Sequence, residues 1–83
     1  MDHRRKQLLF RSHHCGMKEN DILLGRFADH YIAELSDKLL DQFDTLMQHN
    51  DIDIMNWIVC KTPVPEAFDN ELMALIQRFN KTA

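Results

Sequence analysis

The sequence predicts an all-α fold, a compact five-helix bundle in a single domain. Three observations carry that expectation. Apolar residues recur at three- and four-residue steps along almost the whole chain, no segment alternates with period two, and the breaks between periods are short. Short connections between amphipathic helices make sequence neighbours antiparallel around one core. With 83 residues there is material for one modest core and not for two.

The elements follow in order. Leu8, Leu9 and Phe10 predict a short opening helix that ends near Gly16. Leu24, Phe27, Ala28, Tyr31 and Leu35 share one face of a second helix. Ser36 supplies an N-cap and Asp37 a first-turn charge for a third, whose apolar face is Leu39, Leu40, Phe43, Leu46 and Met47. Asn50 and Asp51 punctuate again before a shorter face of Ile54, Met55, Ile58 and Val59, with Trp57 beside it. KTPVPEAF is a break, because each proline disfavours helix in the residue before it, and Pro65 suits a helix start. Phe68, Leu72, Leu75, Ile76 and Phe79 form the face of the last helix. Residues at these spacings are core before they are cofactor contacts.

Composition narrows the function. Hydrophobic residues at 45% and charged residues at 28% are globular proportions, and no apolar run approaches the ~18 residues of a membrane span. MDHRRKQLLF has basic residues but no long apolar stretch and no small-residue cleavage site, so a cytoplasmic protein without membrane insertion is expected. Cys15 and Cys60 form no CxxC pair and read as free thiols, Cys60 as a small buried hydrophobe. Residues 1–18 hold five basic side chains against Asp2 alone, whereas the remainder holds five basic and twelve acidic ones. A basic tip on an acidic body fits an acidic partner. It is too small a footprint for nucleic acid, and no nucleic-acid-binding motif accompanies it.

Residues 13–21, HHCGMKEND, concentrate the chemistry. Adjacent helical residues point in different directions, so His13, His14 and Cys15 do not converge on one metal ion, and the other His and Cys residues lack ligand spacing. A nucleophilic Cys15 needs a base in reach and an oxyanion site in a cleft, for which so small a core leaves little room. The paired acids Asp51 and Asp53, or Asp41 and Asp44, read first as first-turn charges and exposed faces. Gly16, between two helices, reads as a backbone position with positive φ, and Glu19 as a first-turn carboxylate favoured by the helix dipole. No catalytic residues and no metal ligands are assigned.

Five segments in order, RKQLLFRS, GMKENDILLGRFADHY, LSDKLLDQFDTL, DIDIMNW and PVPEAFDNELMALIQRF, carry a resemblance over nearly the whole chain, from Arg4 to Phe79. The chain resembles the SdhE/YgfY family of flavinylation factors, and its closing segment is especially similar to the mitochondrial and alphaproteobacterial members. The resemblance implies a five-helix domain that is not an enzyme and holds no tightly bound cofactor. It implies a protein that binds the flavoprotein subunit of succinate dehydrogenase, in some cases that of fumarate reductase, and promotes covalent FAD attachment there. Separately, the five helical periods without convergent metal ligands lead us to expect a monomer. The family signature is Arg-Gly-x-x-Glu. Gly16 and Glu19 match it with Met17 and Lys18 between, and Cys15 stands in the place of the arginine. The implied partner-binding residues are Cys15, Gly16, Met17, Lys18, Glu19 and Asp21. A regulatory or antitoxin-like interaction module with another partner, and a metal-binding or thiol-redox bundle, are the competing classes.

Overall fold

The structure, a computed structural model, describes residues 2–82. Five α-helices follow one another: α1 (His3–Ser12), α2 (Lys18–Tyr31), α3 (Asp37–Met47), α4 (Asp51–Ile58) and α5 (Glu71–Thr82), with a 3₁₀ turn (Glu66–Phe68) before the last. The radius of gyration is 11.5 Å, close to the ~12 Å expected of a compact chain this long. The predicted fold class is the observed one, and three boundaries differ. Helix α2 stops at Tyr31, so Leu35 reaches the core from the following linker, where it is buried. Val59 is the C-cap of α4 and is exposed. Pro65 opens the 3₁₀ turn, so Phe68 lies outside α5 and stacks on Trp57 at 5.1 Å between ring centroids.

Local chemistry explains the starts. Asp2 accepts a hydrogen bond from the backbone N–H of Arg5, Ser36 from Leu39, Asn50 from Ile52 and Asp53, and Asn70 from Met73. Each satisfies a first-turn donor that has no partner within its helix, a contribution of typically ~1 kcal/mol. Helix α2 is the central element and packs on α1, α4 and α5. Its Phe27 is fully buried and meets Phe43 and Phe79 edge-on, at 5.7 and 5.9 Å. Such rings add to burial because their edges and faces carry opposite partial charge.

The basic tip is largely neutralised inside the fold. Arg4 pairs with Asp41 and Arg11 with Asp44, tying α1 to α3, while Arg5 donates to the carbonyls of Ile32 and Leu35 and pairs with Asp2. The Arg11 guanidinium holds the Asp44 carboxyl below its ordinary range. A depressed carboxyl contributes stability above its unfolded pKa and loses it as pH falls through the folded value. Both side chains are about two-fifths exposed, which limits this pair to ~0.2–1 kcal/mol.

Cys60 departs from its expected burial: it is exposed, with φ 60°. It occupies the left-handed position that ends α4, where the N–H of Lys61 donates to Asn56 O and that of Cys60 to Trp57 O. This paired closure normally uses glycine. Relief of ~1–2 kcal/mol of left-handed strain, less the extra freedom of glycine in the unfolded chain, makes Cys60→Gly stabilising by about 0.5–1 kcal/mol. Thermal melting followed by circular dichroism checks this, and a lowered midpoint refutes it.

Candidate functional site

Residues 13–21 form the turn between α1 and α2 and the first turn of α2. His13 caps α1 and its Nε2 lies 2.8 Å from Asp29 Oδ1. His14 turns Nδ1 back onto Phe10 O at 2.7 Å and stacks on the Phe10 ring at 3.9 Å. Both imidazoles are exposed, as a helix end favours. Phe10 is 62% exposed, an aromatic surface beside the turn.

Gly16 overturns its sequence expectation. None of the described glycines has positive φ. What the position favours is absence of a side chain: a Cβ there would lie 2.7 Å from Asp51 Oδ2, so the Asp51 carboxylate would have to move away. That close approach lets the Gly16 N–H donate to Asp51 Oδ2 at 3.1 Å, across 35 residues of sequence. Asn20, fully buried in the first turn of α2, donates through Nδ2 to Asp51 O at 2.8 Å. Its Oδ1 is buried without a hydrogen-bond partner. Two bonds thus fasten the α1–α2 turn to the start of α4.

The expected site residues divide by what they do. Asp21, half-buried, accepts from the N–H of Cys15 at 2.7 Å and closes the turn on itself. Cys15 is half-buried and its Sγ leans towards the carbonyls of Arg11 and Ser12. Burial, reinforced by the Asp21 and Asp51 carboxylates, pushes its thiol up to about 11. It is therefore a protonated thiol at neutral pH and a poor nucleophile, contrary to a thiol-redox site. Met17 is the N-cap of α2, half-buried and without a side-chain cap bond. Lys18 and Glu19 are exposed, with Glu19 complementing the positive end of the α2 dipole. Cys15 and Gly16 also border a cleft of about 520 Å³ whose lining includes Met47, His49 and Asp51. The arrangement offers a rigid turn, outward charges and a shallow cleft. Among the described residues no three His, Cys, Asp or Glu side chains converge as a metal site, and no helix is long and apolar enough to cross a membrane.

Sequence reasoning missed Asn20 and Asp51 as parts of the site. Asn20 was findable, since it extends the Leu24 and Ala28 period by one helical step onto the buried face. Asp51 was not, because its role exists only through contact with a distant turn.

Comparison with known proteins decides the family. Residues 6–80 match the family model described as flavinator of succinate dehydrogenase. The chain belongs to this family. It is 46% identical over 77 residues to succinate dehydrogenase assembly factor 2, mitochondrial, of Dictyostelium discoideum, covering 93% of this chain and 55% of that protein. The protein of the same name from Danio rerio is 40% identical over 83 residues, covering 98% of this chain and 52% of that one. The Culex quinquefasciatus protein of that name is 37% identical over 81 residues, covering 95% and 51%. The chain spans about half the length of these relatives. Their names correct the expectation of a cytoplasmic protein, because each is called mitochondrial. That expectation rested on an N-terminal stretch without a signal, and compartment is not legible in a folded core shared with longer proteins.

Proposed function

We propose that this chain binds the flavoprotein subunit of succinate dehydrogenase through the α1–α2 turn and promotes covalent FAD attachment to it, as a non-catalytic, monomeric assembly factor holding no FAD of its own. The observation that carries the reading is the family match over residues 6–80. Gly16 and Glu19, the two residues that the resemblance singles out, are both exposed, one in the α1–α2 turn and one in the first turn of α2. The geometry supports a binding role. The turn is braced from within by Asp21, Asn20 and Asp51, so its outward groups are presented at little ordering cost.

Assistance of this kind needs no acid or base on the helper. A rigid turn that binds the attachment-competent conformer of the flavoprotein better than other conformers raises its population and holds the acceptor side chain near the flavin. A shift from 1:99 to 99:1 requires about 5.5 kcal/mol of differential affinity, within reach of one protein interface. Deleting the gene is expected to abolish covalent flavin on the succinate dehydrogenase subunit, seen as in-gel fluorescence after denaturation. Undiminished fluorescence refutes the proposal.

Glu19 supplies the local test. It is exposed and makes only a first-turn dipole interaction, so Glu19→Ala is expected to cost the fold about 0.3–1 kcal/mol. At the partner surface the same truncation is expected to weaken binding at least tenfold, about 1.4 kcal/mol. Unchanged affinity in titration calorimetry removes Glu19 from the interface.

A further inference from the structure

We propose that the groove between the end of α4 and α5 is a second docking surface, and that it takes a protein segment whose apolar side chains stand next to carboxylates. The groove has a volume of about 670 Å³, and its apolar lining includes Leu23 from α2, Val59 and Ala74. It continues past Cys60 and Gln77 into a neighbouring depression bordered by Lys61. Val59 is 54% exposed because the chain turns there: it is the C-cap of α4, and left-handed Cys60 follows it. An apolar side chain is thereby held in water at the mouth of an apolar trough, whose dehydration by a partner is favourable.

Charge selects the occupant. Beyond residue 18 the chain has five Lys and Arg residues against twelve Asp and Glu. Two of those five, Lys61 and Lys81, border this groove and its extension, and no described carboxylate does. A cationic rim on an otherwise acidic body attracts carboxylates and repels a basic segment. The groove is also separate from the turn at residues 13–21. Asp51 and Ile54, at the start of α4, line the cleft beside that turn, while Ile58 and Val59, at its end, line this groove. An eight-residue helix is ~12 Å long, so the two surfaces sit at opposite ends of one short rod. This inference stands apart from the partner proposed above.

The test uses the whole chain, isotope-labelled for NMR, and a fluorescent helical peptide with leucines on one face flanked by glutamates. A twin peptide carries lysines in place of the glutamates. Saturable binding is expected for the glutamate peptide, with amide shifts clustered at Val59, Cys60 and Ala74, and at least tenfold weaker binding for the twin. The double variant Lys61→Glu, Lys81→Glu, at two exposed positions, is expected to weaken the glutamate peptide at least tenfold with unchanged melting. Equal binding of both peptides overturns the proposal, as do shifts clustered at residues 15–21. Concentration-dependent dimerisation in sedimentation, with Val59 in the interface, overturns it in favour of a second copy.

Discussion

Asn20→Asp is expected to destabilise the fold by about 3–5 kcal/mol at neutral pH, the cost of leaving a buried charge without a partner. The two side chains are nearly the same shape, so no cavity complicates the reading. The change removes the Nδ2 donor that reaches Asp51 O at 2.8 Å and sets an oxygen against that carbonyl. The position is fully buried and the adjacent chain carries Glu19, Asp21 and Asp51, which outweigh the ~0.3–1 kcal/mol that the α2 dipole gives a first-turn carboxylate. A domain of 83 residues has total stability of roughly 4–12 kcal/mol at 0.05–0.15 kcal/mol per residue, so the loss takes much of it. At 4–8 °C per kcal/mol, the melting midpoint is expected to fall by roughly 12–40 °C. The pH dependence has a definite sign. Burial raises the folded-state pKa of the introduced carboxyl above its unfolded value, so the penalty is full at high pH and shrinks as pH falls through the raised value. Melting curves of both proteins between mildly acidic and neutral pH check this, and parallel curves with a small constant offset refute a buried, charge-intolerant Asn20.

The fold was legible because its information is local. Phe27, Phe43 and Ile76 announce their helices by spacing alone, and Ser36 and Asn50 announce two starts by the hydrogen bonds their side chains make. Where the fold departs from expectation, contact or backbone geometry intervened. Leu35 is buried without being helical, because α2 stops at Tyr31 and the linker passes over the core. Cys60 has the composition of a core residue and the φ of a helix-terminating glycine, and the second decides its exposure. At the candidate site, the segment was legible from residue types and order but the internal division of labour was not. Asp21 stood among the implied partner-binding residues and its carboxylate accepts from the N–H of Cys15 within the turn. Gly16 resembled a left-handed turn residue and is instead a point of close approach to Asp51, a contact no single stretch of sequence encodes.

Cys15→Arg is expected to tighten binding to the proposed flavoprotein partner by about 10- to 150-fold, the value of one charge-assisted hydrogen bond at ~1.5–3 kcal/mol. The resemblance implies an arginine at this position, and the surroundings of position 15 suit a cation. Burial first, and then the Asp21 and Asp51 carboxylates, push the Cys15 thiol up to about 11, and the part owed to those two carboxylates is a negative potential at the side chain. The same potential favours a guanidinium, whose planar fork serves a carboxylate on one side while donating to a partner on the other. The half-buried position asks for an apolar stem near the turn and a polar head outside it, and arginine supplies both. Melting is therefore expected to stay level or rise slightly. Measured together, melting and affinity separate the roles of the side chain. Tighter binding with level melting makes position 15 a partner contact. Raised melting with unchanged affinity makes arginine an internal brace between the turn and α4, and removes position 15 from the partner surface. Cys15→Lys sharpens the distinction, because an ammonium meets the same potential without the bidentate fork. It is expected to match arginine in melting and to recover only part of its gain in affinity.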